Sequence, residues 1–284
     1  MPLVREATTP QGTDVHWDAP APTGGRQPVN VRCEPTSGSI FAVGESTVRC
    51  SATDAEMRQA SCTFGVTVTV SRPLGRTRFV AYGDSITQGQ VRSIGFATVI
   101  EPLESYPYKL EQILRNRYPA QDVTVVNAGF GGEVPVDGVA RLPGVLDAEH
   151  PDVLLLQEGT NGLTTARVTS YGNHLRTMVS LARQRNIDVI IATLLPVGPP
   201  HTDSRPTKRE AIKQLNRRIE AIAAEFGIGP ALDLYSAFEE NPGWLDIDGL
   251  HPTRAGYTRI AELFADEIIR RYDQPGQAPV RASR

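Results

Sequence analysis

From residue 77 onward, short apolar segments alternate with longer segments whose apolar residues recur at helical spacing. One short segment, Asp152 to Gln157, is apolar at every interior position, as expected for a strand buried on both faces. This alternation predicts an α/β fold with a parallel sheet covered by helices on both sides. We predict strands at 78–82, 122–127, 152–157, 187–194 and 231–235, helices at 106–117, 168–185, 207–226 and 254–272, and a connection at 90–107.

The first seventy residues follow a different pattern, in which β-branched residues alternate with polar ones over short segments such as Val29 to Cys33 and Ser46 to Cys50. Proline and glycine turn signals separate these segments, and helical periodicity is lacking. The pattern predicts a small all-β sandwich. We predict a sandwich domain, a stiff linker and an α/β domain at residues 1–70, 71–76 and 77–284.

The cysteines are confined to this first part of the chain, at Cys33, Cys50 and Cys62. Three is an odd number, so either one internal disulfide forms and one thiol is left over, or all three thiols are reduced. The sequence leaves the pairing open. The first six residues lack the apolar segment of a secretory signal.

Charge and hydropathy exclude two classes of partner. The chain carries 29 basic and 32 acidic residues without a basic run, which argues against binding to nucleic acid. No apolar run approaches the roughly 18 residues that a membrane span requires. The histidines are not spaced as metal ligands, so no metal site is predicted.

Four polar segments follow predicted strands or precede the last predicted helix. They are Gly83-Asp84-Ser85, Asn127 to Gly132, Gly159-Thr160-Asn161 and Asp248 to His251. Polar groups at the carboxyl ends of parallel strands converge on one edge of the sheet. Acyl transfer needs a nucleophile, a base, a group that orients the base and donors for the oxyanion, and these segments contain each of them.

The residue types suggest a role for each group. Ser85, at a strand-to-helix turn, is the candidate nucleophile, His251 the base, and Asp248 the carboxylate that orients the imidazole. The backbone N–H groups of Ser85 and Gly132 and the side-chain amide of Asn161 are the candidate oxyanion donors. The alternatives are that Gly-Asp-Ser is an ordinary turn, that Asp248 and His251 cap the last helix, and that Asn161 merely forms a turn.

In order and spacing, these four segments resemble the motifs of the SGNH (GDSL-type) hydrolases, over residues 77 to about 273. The resemblance implies a flavodoxin-like three-layer α/β/α sandwich and ester hydrolysis without a metal or organic cofactor. It also selects Gly132 rather than Gly129 as the donor. The chain departs from the family at Gly162, where Asp is frequent, and this affects the expected shape of the cleft.

Further polar residues flank these groups. We predict that Asp84, Glu133, Glu158 and His201 contribute to substrate binding. For Glu158, capping of a turn explains the sequence equally well. For His201, the alternative is an exposed histidine in a proline-rich loop.

The N-terminal part resembles the HYR (hyalin repeat) domain, an immunoglobulin-like sandwich. Matching segments include Val31 to Phe41, Val48 to Asp54 and Ser61 to Phe64. The family usually has a further cysteine-bearing strand, whose absence explains the odd count. The resemblance implies an extracellular location, and attachment to a cell surface or polymer.

Together these features predict a serine esterase that hydrolyses short-chain, mainly acetyl, esters of carbohydrates. The alternatives are a lysophospholipase or thioesterase of the same family, and a binding or adhesion protein that has lost activity. The partner is expected to be a small-molecule or polysaccharide ester.

Overall fold

The computed structural model describes residues 3–69, 73–94, 97–199 and 207–273. The chain divides into two compact units, and the main division falls after Gly75, inside the predicted linker. Of the described residues, the first unit also includes 117–122 and 273, and the second comprises those within 76–116 and 123–272. Residues 71 and 72 of the linker, and His201, lie outside the described residues.

The N-terminal unit is a strand-rich sandwich, as predicted. Its strands are β1 (Leu3–Glu6), β2 (Thr13–Val15), β3 (Asn30–Glu34), β4 (Ser39–Phe41), β5 (Gly44–Thr53) and β6 (Gln59–Thr69). One sheet has the order β1-β6-β5-β3, and β2 pairs with β4. Alternate residues of these strands, including Val48, Val66 and Val68, are buried in a core that Trp17 closes by edge contacts with Phe41 and Phe64.

The three cysteines lie side by side on neighbouring strands. Cys50 on β5 is directly opposite Cys33 on β3 and Cys62 on β6. Cys33 and Cys50 form a disulfide, and Cys62 is an exposed free thiol. The sequence left the pairing open, and in the structure both neighbours of Cys50 occupy equivalent register positions.

The second unit is built on a parallel sheet with the strand order β10-β7-β11-β12. These strands are β7 (Arg78–Gly83), β10 (Thr124–Gly129), β11 (Val153–Gln157) and β12 (Asp188–Ile191). Every residue of β11 is buried, because helices cover both faces of the sheet. In the register, Gly83 lies opposite both Gly129 and Gln157, so three strands end at the same edge.

Seven α-helices accompany this sheet in the described residues. They are α1 (Ser85–Gln88), α2 (Tyr106–Arg117), α3 (Pro135–Glu149), α4 (Val168–Gln184), α5 (Lys208–Glu225), α6 (Leu234–Glu240) and α7 (Arg254–Tyr272). One core contains Val80 and Leu154 of the sheet with Leu175 and Leu215 of α4 and α5. On the other side, α2 and α7 meet through stacked rings of Tyr106 and Phe264. Among the described residues no helix is long and apolar enough to cross a membrane.

Three details differ from the sequence-based expectations. Helix α3 was not predicted, because Gly138, Pro143 and Gly144 interrupt the helical pattern of its sequence. The predicted strand at 231–235 is wrong: Leu232 makes only an isolated bridge with Ala192, and α6 begins at Leu234. The predicted connection at 90–107 contains a hairpin of β8 (Gln90–Ile94) and β9 (Ala97–Ile100).

Candidate active site

Ser85 is the first residue of α1, directly beyond the end of β7. Asp84 is the N-cap of this short helix, and its Oδ1 accepts a hydrogen bond of 3.0 Å from the N–H of Ile86. Gly83 allows the close approach of β11, since a Cβ atom there would lie 2.0 Å from the carbonyl oxygen of Gln157. The Gly-Asp-Ser sequence therefore supplies close strand packing, a helix cap and a hydroxyl at the edge of the sheet.

The structure brings together the three groups that were predicted to work as a unit. Ser85 Oγ lies 3.0 Å from Nε2 of His251, although the two residues are 166 positions apart. On the other side of the ring, Nδ1 lies 2.6 Å from Oδ2 of Asp248. The imidazole is buried and is thus fixed between a hydroxyl and a carboxylate. This geometry suits proton transfer from the hydroxyl to Nε2.

A tight turn holds Asp248 against His251. Oδ1 of Asp248 accepts hydrogen bonds from the N–H groups of Leu250 and His251, at 2.8 and 3.0 Å. Burial raises the pKa of Asp248. The hydrogen bonds from the His251 ring and from these N–H groups together lower it by more, so the net pKa lies below its ordinary value. Asp248 therefore remains a carboxylate at neutral pH.

The three predicted oxyanion donors lie on the loops that follow β7, β10 and β11. Gly132 has a φ of 81°, a left-handed conformation that glycine adopts without strain. The side chain of Asn161 donates a hydrogen bond of 3.0 Å to the carbonyl oxygen of Glu133. The hydroxyl of Tyr171 donates to the carbonyl oxygen of Asn161 at 2.9 Å. Two contacts therefore fix the Asn161 loop.

The three acidic side chains that were predicted to bind substrate are buried and have partners within the protein. Asp84, Glu133 and Glu158 are only 0, 5 and 1% exposed. Asp84 caps α1, Glu133 is paired with Arg141, and Glu158 accepts from the N–H of Gly159. Each of these contacts supports a neighbouring element of the site. Substrate binding by these side chains stays a prediction, because Ser85 and His251 are buried to a similar degree, 6 and 5% exposed. The fourth residue in that prediction, His201, is not among the described residues.

These carboxyl groups form a buried layer in which their charges interact. Burial raises the pKa of Glu158 well above its ordinary value, and the negative charges of Asp84 and Glu133 add to this. Burial also raises the pKa of Asp84, to about 6. Burial next to two other carboxyl groups therefore favours the protonated form of Glu158, because an ionised carboxylate there would be desolvated beside like charges.

We predict that Glu158→Gln becomes progressively more stabilising, relative to the unchanged chain, as the pH rises above the ordinary pKa of glutamate. A raised pKa in the folded state adds stability at low pH that is lost as the pH climbs toward the folded-state pKa, and glutamine does not titrate. Urea denaturation midpoints at pH 5 and pH 8 measure the effect. An equal difference between the two chains at both pH values would contradict a buried, protonated Glu158.

Two basic residues of this layer were missed by the sequence analysis. Arg141 on α3 binds both carboxylate oxygens of Glu133, at 2.6 and 2.7 Å, and its guanidinium lies 4.1 Å from the ring centre of Tyr82. Lys208, at the start of α5, is buried and donates to the carbonyl oxygen of Thr160. Arg141 was missed because its helix was not predicted. Glu133 precedes that helix, so no i, i+3 or i, i+4 spacing points to the pair.

Within the described ranges, no group of three or more His, Cys, Asp or Glu side chains is arranged to hold a metal ion.

Comparison with known protein families gives two matches along the chain. The model of the GDSL-like Lipase/Acylhydrolase family matches residues 81–259, and the model of the HYR domain matches residues 5–68. The first match covers more than half of the chain and includes all four polar segments at the edge of the sheet.

Individual relatives agree with the first of these matches. An arylesterase of Vibrio mimicus is 28% identical over 198 residues, which are 68% of this chain and 88% of the relative. The thioesterase 1/protease 1/lysophospholipase L1 of Escherichia coli K12 is 28% identical over 149 residues, 51% of this chain and 67% of the relative. The crystal structure of a lipase/acylhydrolase from Enterococcus faecalis superposes with a TM-score of 0.59 at 28% identity, covering 71% of this chain and all of that one.

Proposed function

The chain belongs to the GDSL-like Lipase/Acylhydrolase family and is a serine ester hydrolase, and we propose that it removes short acyl groups, above all acetyl, from carbohydrate esters. The observation that carries the catalytic part of this proposal is the series of hydrogen bonds from Ser85 through His251 to Asp248, at 3.0 and 2.6 Å.

In the proposed first half-reaction, Ser85 Oγ attacks the ester carbonyl carbon while Nε2 of His251 accepts the hydroxyl proton. The carbonyl oxygen becomes an oxyanion, which the N–H groups of Ser85 and Gly132 and the amide of Asn161 stabilise. The tetrahedral intermediate then expels the alcohol, which takes the proton from His251, and an acyl-enzyme remains. Asp248 stabilises the imidazolium that exists between these steps.

In the second half-reaction, a water molecule takes the place of the alcohol. His251 removes one proton from the water as its oxygen attacks the acyl carbon, and the same proton returns to Ser85 Oγ when the ester bond to serine breaks. The carboxylic acid leaves and the serine is regenerated, so this cycle consumes one ester and one water.

The composition of the loop beside Ser85 supports a preference for short acyl groups. Gly131 and Gly132 are both exposed, and a Cβ atom on Gly131 would lie 3.9 Å from the Cβ of Ser85. Residues without side chains leave room for a substrate at this position but provide little apolar surface to bury a long chain. We therefore expect little gain in transition-state binding from each additional methylene.

The test is hydrolysis of p-nitrophenyl esters of increasing acyl length, followed by release of acetate from an acetylated polysaccharide. We expect kcat/KM to be highest for acetate, not to rise toward octanoate, and to be lost with Ser85→Ala. Higher kcat/KM on octanoate than on acetate would overturn the short-acyl proposal without affecting the assignment of the family.

One observation favours an alternative substrate class. Phe130 is 58% exposed and Ile247, next to Asp248, is 73% exposed, so large apolar side chains adjoin the loops that carry the candidate catalytic groups. Such a surface suits an aromatic alcohol or a fatty acyl chain, as in an arylesterase, thioesterase or lysophospholipase. The acyl-length series, extended to an acyl thioester and a lysophospholipid, distinguishes these substrates.

For the N-terminal unit, which is an HYR domain, we propose attachment of the secreted enzyme to a cell surface or an insoluble polymer. Co-sedimentation of the full chain with insoluble acetylated polysaccharide, measured with and without residues 1–75, tests this role. Equal sedimentation of both forms would argue against it.

A further inference from the structure

We propose that Arg141 is a positioning residue that holds the oxyanion donors in place through Glu133. This inference rests on the proposed function and assigns a task to an ion pair that makes no direct contact with the Ser85–His251–Asp248 series. The argument starts from the loop that carries Gly132, because that loop is built from residues with unusual conformational freedom.

The loop is anchored on the side that precedes Gly132. The N–H of Phe130 donates to the carbonyl oxygen of Gly83 at 2.9 Å. Gly129 packs so closely on α1 that a Cβ atom would lie 2.1 Å from the backbone nitrogen of Gln88. By contrast, a Cβ atom on Gly132 would have nothing within 4 Å. Packing therefore fixes the beginning of the loop, and the N–H of Glu133 closes a turn over Gly131 and Gly132 by donating to the carbonyl oxygen of Phe130 at 3.2 Å.

Glu133 provides the anchor on the other side. Its carboxylate is buried and accepts two parallel hydrogen bonds from the Nε and Nη2 atoms of Arg141, at 2.6 and 2.7 Å. Such a bidentate pair fixes both the distance and the plane of the carboxylate. Because Glu133 directly follows Gly132, fixing Glu133 restricts the direction of the Gly132 N–H group.

The same residue connects the second loop of the site. The amide of Asn161 donates to the main-chain carbonyl oxygen of Glu133 at 3.0 Å. Displacement of Glu133 therefore changes the position of both Gly132 and Asn161. Two of the three proposed oxyanion donors depend on one ion pair.

The position of Arg141 is itself fixed. Its guanidinium stacks 4.1 Å from the ring centre of Tyr82, whose hydroxyl donates to the carbonyl oxygen of Gly138 at 2.7 Å. Gly138 lies on α3 one turn before Arg141, and a Cβ atom there would come within 3.3 Å of Glu133 Oε1. The helix, the sheet and the loop are thus connected through a single guanidinium group.

The experiment compares Arg141→Gln and Arg141→Lys with the unchanged chain on p-nitrophenyl acetate. Misplacement by about 1 Å can cost about 100-fold, so we expect kcat to fall about 10- to 100-fold in Arg141→Gln, and less in Arg141→Lys, which keeps the charge. We expect KM to change less than about twofold, because oxyanion contacts develop mainly in the transition state.

The matched control is Arg176→Gln. Arg176 also binds a glutamate with two hydrogen-bonding nitrogens, Glu225 at the end of α5, and lies over an aromatic ring, that of Phe226 at 5.6 Å. That pair is on the surface, away from the loops of the site. We expect its loss to leave kcat unchanged within about twofold, as is usual for surface ion pairs.

A double-mutant cycle separates positioning from general destabilisation. With Asn161→Ala already present, Arg141→Gln should cost clearly less than it does alone, since one of the donors that it positions has been removed. Equal losses in both backgrounds would overturn the proposal, as would a kcat unchanged in Arg141→Gln.

A second readout does not depend on activity. The side-chain amide signals of Asn161 in a ¹⁵N-correlation NMR spectrum, assigned by their loss in Asn161→Ala, should shift in Arg141→Gln and not in Arg176→Gln. If the unchanged chain hydrolyses no ester, the proposed function fails while this spectrum still decides the inference. Unshifted Asn161 signals in Arg141→Gln would overturn it.

Discussion

Replacing Ser85 or His251 by alanine is expected to lower kcat for p-nitrophenyl acetate by about 10⁶-fold, because in serine hydrolases the loss of either group removes nearly all of the nucleophilic mechanism. The 3.0 Å contact between Ser85 Oγ and His251 Nε2 makes the two groups one functional unit. The double replacement is therefore expected to be no worse than either single one.

Measuring kcat for p-nitrophenyl acetate in the two single variants and the double variant tests this non-additivity, and circular dichroism confirms that each is folded. Ser180→Ala is the matched control, because that hydroxyl accepts a hydrogen bond from Gln184 on α4 and has no contact with His251. An organophosphonate probe that labels a serine other than Ser85, or a Ser85→Ala variant with near-normal kcat, would show that the nucleophile is elsewhere.

Asp248→Asn is expected to lower kcat by about 10⁴-fold, the loss that follows when a catalytic histidine adopts the wrong tautomer. Oδ1 of Asp248 accepts from two backbone N–H groups, so an asparagine would keep its oxygen at that position. Its NH₂ group would then face Nδ1 of His251. Nδ1 must then accept a hydrogen bond from the asparagine, so the proton of the neutral imidazole lies on Nε2. With Nε2 protonated, His251 cannot accept the proton of Ser85.

The measurement is kcat and KM on the same ester, for which we expect KM to stay close to that of the unchanged chain. The distinctive feature is that the substitution alters one atom of the carboxylate and leaves the turn intact. A loss of less than about tenfold would mean that Asp248 does not fix the tautomer of His251.

The position of Ser85 could be anticipated because it depends on topology, whereas His251 follows no strand and was proposed as the base from its residue type and from the Asp248 to His251 segment before α7. Parallel strands end at one edge, so polar residues directly beyond them converge whatever their separation along the chain. The continuous apolar run Val153 to Leu156 was enough to indicate a buried central strand, and it is β11. The hydrophobic pattern thus predicted the central strand, and the position of polar residues after the strands predicted which edge of the sheet holds the site.

The role of the acidic residues could not be anticipated, since it depends on burial that arises only from packing. Glu158 directly follows β11, as Asp84 directly follows β7, and both side chains are buried. Arg141 escaped notice for a related reason. Its helix contains Gly138, at which a Cβ atom would lie only 2.7 Å from the methyl group of Met178. Packing against Met178 thus favours a glycine, and that glycine weakens the helical signal in the sequence.

The distance along the chain between Ser85 and His251 has a consequence for synthesis. A ribosome finishes β7, β10, β11 and β12 long before His251 leaves the exit tunnel. We expect the histidine to reach its final position only once α7 has docked, since Tyr257 of that helix donates its hydroxyl hydrogen to the carbonyl oxygen of Gln90. The nascent chain can thus assemble most of its sheet while it remains unable to react. Onset of ester cleavage during translation would report the last docking event, and messages that stop before codon 251 would yield protein with a nucleophile and no base.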